Sequence, residues 1–195
     1  MPEVKHAELI GGVVYMPSPV SRDHKTHDTL AIGWLSYYAA QTAGCEAGND
    51  GTWLMLEDAP QPDSYLRILP EYGGQSSEER GYGSGAPELI VEVALTSAAR
   101  DLGPKLRLYG AAGVPEYITV LVKRPQVLWR RLVSGAYSLI EPDEDGILRS
   151  AVFPGLWLDS AALLGRDIPR VLEVLEQGLR SPSHQEFVQR LGAGL

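Results

Sequence analysis

The stretch PELIVEVA, residues 87–94, constrains this chain most. Leu89, Ile90, Val91 and Val93 make a short apolar run, and a second one, YITVLV, follows at 117–122 after a segment of helical spacing that runs to about Ala112. Strand, helix and strand joined by a connection of this size imply a right-handed parallel crossover within one sheet. Glu92 interrupts the first run, and burying an unpaired carboxylate is costly enough that globular chains rarely do it without a partner. Strand alternation points Leu89, Val91 and Val93 one way and Ile90, Glu92 and Ala94 the other. Glu92 then stands near the carboxyl end of a central parallel strand, where α/β sheets place ligands. The alternative is a glutamate that reaches solvent or a structural arginine.

Around this unit the chain reads as a mixed sheet with helices against it, an α/β fold. ELIGGVVYM is a hairpin turning at Gly11-Gly12. Pro17 and Pro19 reset the chain, and Leu30, Ala31, Trp34, Leu35 and Tyr38 recur at helical spacing from Arg22 to about Ala43, with Ser21 as N-cap. Residues 52–58 and 62–69 are strand-like. Residues 70–86, rich in Gly, Ser and Glu, read as a flexible loop or exposed excursion. Residues 125–133 and 136–140 form a second hairpin through Ser134-Gly135, which a last strand near 147–152 joins. The tail from Asp167 is helical in pattern and broken at Pro182.

Composition narrows the class. A chain of 195 residues, 44% hydrophobic, can bury a sizeable core and is most simply one domain. A formal charge of −8 argues against a surface that coats polyanions generally, but leaves room for a local basic groove. Cys45, in a loop-like AGCEAG context, is the single cysteine, so neither an internal disulfide nor a thiolate zinc cluster is available and a reducing compartment is expected. No signal peptide and no apolar run of membrane-spanning length is present, which predicts a cytoplasmic protein without a membrane partner.

Two further charges bear on Glu92. Asp63 follows Pro62 at the start of a strand, and Lys105 lies on the helix after Glu92, sharing a face with Leu102 and Tyr109 while Arg107 points away. Pro104 suits the first helical position, which places Lys105 in the first turn, where the helix dipole disfavours a cation. Such a lysine requires a carboxylate or an anionic ligand nearby, and Asp101, four residues back, offers a purely structural ion pair. Two carboxylates and a lysine also make a chemical set: hard oxygen ligands suit Mg²⁺, which can hold and polarise a phosphodiester, and the lysine can orient the attacking water. The same trio is compatible with a structural network.

Six motifs occur in order: ELIGG, a helix carrying His24, Pro62-Asp63, PELIVEV, D-x-x-x-K-x-x-x-Y at Asp101, Lys105 and Tyr109, and GVPEY at 113–117. Together they resemble the Uma-type restriction endonuclease family of the PD-(D/E)XK nuclease superfamily, from about residue 7 to VFPGLWLD at 152–159. The resemblance implies a restriction-endonuclease-like mixed β-sheet flanked by helices, with an N-terminal hairpin and C-terminal helices. It divides the chain into a nuclease-like domain at 1–165 and a helical extension at 166–195. It implies that Asp63 and Glu92 bind Mg²⁺, which Mn²⁺ can replace, helped by the Val93 carbonyl, and that Lys105 assists the attacking water. Glu8 matches a family acidic position as a further ligand, and His24 matches a histidine near the metal water or the scissile phosphate. The lysine stands on the next helix, with Ala94 two residues beyond Glu92, as in this family. DNA is the implied substrate, and a homodimer is implied because duplex cleavage takes two sites, with the helices after 165 as interface candidates. The chain departs from the family at Leu121, where members carry an acidic residue.

The remaining residues read more plainly. His24 and His27, three apart on one helix, lack a third ligand for zinc, and His27 reads as a surface histidine. The four tryptophans fill core or interface positions without forming a ladder for base stacking. Arg130-Arg131 and the Arg22, Lys25 pair are scattered solvated charges. EPDEDG is a turn, and no G-x-S-x-G elbow supports a serine triad. Two other readings stand beside the nuclease: a non-catalytic nucleic-acid or protein-binding module on the same fold, and a hydrolase of small phosphate esters.

Overall fold

In the computed structural model, which describes residues 7–16 and 22–193, the two apolar runs lie at the middle of a six-stranded sheet. The hairpin β1 (Glu8–Ile10) and β2 (Val13–Tyr15) precedes helix α1 (Arg22–Ala40). Then come β3 (Cys45–Asn49), β4 (Trp53–Leu54) and β5 (Ser64–Ile68), a 3-10 turn at Pro70–Tyr72, and the hairpin β6 (Ser77–Glu79) and β7 (Tyr82–Ser84). Strand β8 (Leu89–Ala94) leads through α2 (Ala98–Arg100), a π turn (Asp101–Lys105) and α3 (Leu106–Ala112) into β9 (Glu116–Leu121). The hairpin β10 (Gln126–Val133) and β11 (Ala136–Leu139) follows, then β12 (Ile147–Arg149) and β13 (Trp157–Asp159). Helices α4 (Ser160–Gly165), α5 (Ile168–Leu179) and α6 (Pro182–Ala193) complete the described chain. The N-cap expected at Ser21 and the resets at Pro17 and Pro19 lie outside the described residues.

The main sheet runs β11-β10-β9-β8-β5-β3. Strands β8 and β9 are its parallel pair, in register from Leu89 opposite Glu116 to Ala94 opposite Leu121. Every residue of both is buried, as a central pair covered on two faces requires. The alternation expected along β8 holds. Leu89, Val91 and Val93 join a core with Trp34, Leu35 and Tyr38 of α1. Ile90 joins a second core on the opposite face, with Ile10, Trp53, Tyr109 and Tyr117. Helix α1 is fixed by more than area: Trp34 meets Trp129 edge-on at 5.8 Å, and the Tyr38 hydroxyl donates to the Pro154 carbonyl at 2.9 Å. Val171 and Leu175 of α5 and Phe187 and Leu191 of α6 pack into that same first core. Among the described residues, no helix is long and apolar enough to cross a membrane.

Several local expectations fail for identifiable reasons. Cys45 lies not in a loop but in the edge strand β3, paired with Ile68; the small residues of AGCEAG hide the strand because Gly48 serves as a berth for the Tyr65 ring. Residues 70–86 are not a formless loop, for they carry β6 and β7, whose turn places Arg80 and Gly81 at φ 54° and 84°. Those left-handed angles suit a two-residue hairpin turn. Strand β7 also pairs in parallel with β4, so an exposed polar hairpin is held from one side. Residues 147–149 pair with β13 and do not join the β10–β11 hairpin. Pro104 does not open a helix. The backbone is already helical from Ala98, and the π turn takes in a proline that has no N–H to give.

Candidate active site

The PD dipeptide shapes the backbone at the end of β8. The antiparallel register between β5 and β8 ends at Ser64 opposite Val91, and extended by two residues it would place Pro62 opposite Val93. Proline has no N–H, so it cannot complete the ladder bond to the Val93 carbonyl. The Val93 N–H on the same strand edge is taken instead by Asp63 Oδ2 at 2.7 Å. Val93 thus has its donor satisfied by the Asp63 carboxylate and its carbonyl set on the strand edge that faces Pro62. His24, in the first turn of α1, brings Nε2 to 3.5 Å from that same Oδ2.

Glu92 points to the other core and meets the helical segment. Its Oε1 accepts from Lys105 Nζ and from the Tyr109 hydroxyl, both at 2.7 Å. Lys105 and Tyr109 are four apart and stack on one helical face. The Lys105 ammonium also reaches Glu8 Oε1 at 2.7 Å, so it is shared between β1 and β8. Glu8 Oε1 accepts the Gln61 N–H at 2.9 Å as well, and its Oε2 lies 3.4 Å from Arg100 Nη1. Asp101 is not the partner of Lys105: its carboxylate accepts from Ser97 Oγ and lies 3.8 Å from Arg100 Nε.

The charges set one another. Burial pushes the Glu92 carboxyl well above the usual carboxylate range; the Lys105 charge opposes this, and the charges of Asp63, Asp101 and Glu8 add to it. Burial works against the Lys105 ammonium, yet Glu92 and Glu8 outweigh it and hold the lysine protonated beyond its ordinary range. Burial would raise Asp63 too, but the His24 contact, the Lys105 charge and the Val93 N–H hold it below its ordinary value. Tyr109 stays a phenol, because burial and the neighbouring Glu92 charge raise it far above an ordinary tyrosine.

The residues singled out in the sequence fall into two adjoining contacts: Glu92 and Glu8 pair with the buried Lys105 ammonium, and Asp63, bonded to the Val93 N–H of the same strand as Glu92, has His24 on its flank. His27 departs from expectation. It is buried, with its ring nitrogens facing the Asp23 and Leu164 carbonyls at 2.9 and 3.4 Å, so it does not share a ligand with His24. Arg100 and Gln61 carried no sequence signal. Tyr109 did, in its four-residue spacing from Lys105. Leu121 sits buried at the end of β9, opposite Ala94.

With this geometry in place, comparison with known proteins is specific. The family model of Uma2, described as putative restriction endonuclease, matches residues 1–161. The chain belongs to this family. A search of curated proteins finds no match. Among solved structures, a putative nuclease belonging to DUF820 from Anabaena variabilis is similar, with a TM-score of 0.66 and 14% sequence identity over 85% of this chain and 93% of that one. At that identity the likeness speaks for the fold, a mixed nuclease-type sheet between helices. In this Uma2 chain ELIGG, PELIVEV and the D-x-x-x-K-x-x-x-Y segment meet at Lys105, the helix carrying His24 and Pro62-Asp63 meet at Asp63, and GVPEY lies apart. Its Glu116 is buried elsewhere and accepts from Trp129 Nε1, Ser150 Oγ and the Ala151 and Val152 N–H groups.

Proposed function

We propose that this chain is a metal-dependent endonuclease that hydrolyses phosphodiester bonds in DNA. The observation that carries the reading is the charge gathered at the end of β8. Glu8, Asp63, Glu92 and Asp101 are four carboxyl groups gathered with two cations, Lys105 and Arg100, so acidic groups outnumber the bases that pair them. Among the described residues no hydrogen bond reaches Asp63 Oδ1 or Glu92 Oε2. The Val93 carbonyl beside them is set on the strand edge that faces Pro62. Hard oxygen donors that outnumber the local cations suit Mg²⁺, or Mn²⁺ in its place. Among the described residues no group of three His, Cys, Asp or Glu that could hold a metal ion is found, and the reading rests on Asp63, Glu92 and a backbone carbonyl as the donors.

Asp63, Glu92 and the Val93 carbonyl would hold the ion, with Glu8 within reach through its contact with Lys105. When bound, such an ion polarises a phosphodiester and makes its water a better nucleophile. The protein's own groups do the rest. The Lys105 ammonium, fixed by Glu8 and Glu92, orients the attacking water and offsets charge building on the phosphoryl oxygens. The imidazole of His24, beside Asp63, is placed to exchange a proton with that water. Arg100, partly exposed and 3.4 Å from Glu8, would supply a second cation for a phosphate at the edge of the site. Two copies joined through α5 and α6 would present two such sites to the two strands of a duplex.

The test is nicking of supercoiled plasmid with and without Mg²⁺ or Mn²⁺, using wild type, Asp63→Asn and Lys105→Ala. Metal-dependent nicking lost in both variants is expected; no nicking by pure wild-type protein would overturn the reading. One observation favours a second reading, a non-catalytic nucleic-acid-binding module: Lys105 is already satisfied by two carboxylates at 2.7 Å. Calorimetry separates the two, since a module without a metal site would bind no Mn²⁺ in an Asp63- and Glu92-dependent way.

A further inference from the structure

Strand β5 leads from Asp63 into a second feature that this chemistry leaves unused. Alternation puts Asp63, Tyr65 and Arg67 on one face, with Tyr65 about 7 Å along the strand from Asp63. Tyr65 and Arg67 line a recess of about 190 Å³. Its walls are rings: Trp53 and Tyr65 meet edge-on at 4.9 Å, and Tyr82, 50% exposed, stands at the tip of the β6–β7 hairpin. Trp53 is buried beneath, and two glycines make room for the rings. A Cβ at Gly83 would come within 2.6 Å of the Trp53 ring, and one at Gly48 within 2.3 Å of the Tyr65 hydroxyl.

The rim is polar in a particular way. Arg67 donates to Glu46 Oε2 through Nε and Nη2, at 3.1 and 2.6 Å, and to Glu78 Oε1 at 2.8 Å. Two carboxylates on one guanidinium leave an excess negative charge, which repels a phosphate. Among the described residues, Glu46 Oε1 and Glu78 Oε2 accept no hydrogen bond. A recess with the exposed Tyr82 ring on one side and carboxylate acceptors at its edge suits a heteroaromatic ring that presents N–H groups. The slot is also coupled to the site, because Gln61 donates its backbone N–H to Glu8 and its side-chain amide to Thr52 Oγ1 in the recess lining.

We propose that the recess receives a nucleobase bearing an exocyclic amino group, unstacked from a strand whose backbone passes Asp63. This rests on the nuclease reading above. Stacking on the tyrosine ring is indifferent to base identity, and extruded bases are read along their hydrogen-bonding edges. Carboxylate acceptors favour the amino groups of cytosine, adenine and guanine and disfavour thymine, whose edge sets a carbonyl on either side of its one N–H.

Fluorescence anisotropy of labelled short oligodeoxycytidine and oligothymidine with the full chain in EDTA tests this without requiring cleavage. The cytidine strand is expected to bind at least about fivefold more tightly. Tyr82→Ala weakens it about tenfold while Tyr82→Phe preserves it, and Glu78→Gln removes the preference over thymidine. Glu92→Gln, which abolishes nicking, leaves the preference intact. Equal or tighter binding of thymidine, or affinity unchanged in Tyr82→Ala, overturns the proposal even if plasmid is nicked. Tyr82-dependent cytidine binding without metal-dependent nicking upholds the recess and counts against the hydrolytic reading alone.

Discussion

Lys105 Nζ meets Glu92 Oε1 at 2.7 Å, and the two side chains are 1% and 3% exposed. A buried ion pair is weak evidence of net stabilisation, but removing one member leaves an uncompensated charge, at about 3–5 kcal/mol. Lys105→Met strands both Glu92 and Glu8 and is expected to cost that much in urea denaturation. Glu92→Gln should cost less, because Lys105 keeps Glu8. The double variant should recover part of the Lys105→Met loss. Strictly additive losses would show that the two residues do not act as a unit.

The contact between His24 and Asp63 makes a statement about pH. The Asp63 hydrogen bond and charge, with that of Asp28, outweigh burial and raise the His24 imidazole above 6.5. A raised folded-state value favours the protonated form in the native state, so its stabilising contribution is complete below pH 6.5 and fades as pH rises through the folded value. In metal-free protein, the imidazole Hε1 resonance in NMR should titrate above 6.5. Asp63→Asn removes the leading cause and leaves burial, so the titration should fall to 6.5 or lower. An unchanged midpoint in Asp63→Asn would show that Asp63 does not govern this histidine.

The parallel pair at the centre of the fold and the facing of Glu92 were legible because β8 and β9 are buried on both sides, so their composition answers to the fold alone. The convergence of Asp63 and Lys105 on Glu92 was legible only as chemistry in need of partners. Which partner Lys105 takes was not, because Asp101 at four residues' distance is as plausible on a helix as Glu8, 97 residues away in sequence. Strand β3 and the β6–β7 hairpin were illegible for a different reason: glycines that berth Tyr65 and Trp53 look like loop residues, since the rings they accommodate lie elsewhere in the chain. Pro104 misled because a π turn absorbs a proline inside a helix without any local signature.

Glu116 gives a prediction away from the candidate site. Burial raises its carboxyl above the ordinary glutamate value, while Ser150, the Ala151 N–H and Trp129 oppose the rise with their hydrogen bonds. Losing the carboxylate strands the buried Trp129 Nε1 and three part-buried donors, a buried one being worth about 1–3 kcal/mol. Glu116→Ala should therefore cost about 3 kcal/mol or more, and hydrogen exchange at Ala151 and Val152 should quicken. Metal binding should survive in the folded fraction. Wild-type exchange at those two amides in the variant would contradict the anchoring role.

The C-terminal helices are bound closely to the rest of the fold. In α5, Gly178 lies against the turn at Gly155, where a Cβ would come 2.1 Å from the Gly155 carbonyl oxygen and 2.8 Å from the Trp157 ring. The obstacle includes backbone, so no flexible side chain can swing aside, and Gly155 itself holds a left-handed φ of 86°. Gly178→Ala should push α5 outward and loosen Val171 and Leu175 in the shared core, at about 3 kcal/mol, the upper end for overpacking. Gly33 in α1 supplies the control, since a Cβ there meets nothing within 4 Å; Gly33→Ala should stabilise by about 0.5–1 kcal/mol through helix propensity. Thermal melts of the two variants should move in opposite directions. A Gly178→Ala protein that melts with or above wild type would mean that α5 docks less tightly than this contact requires.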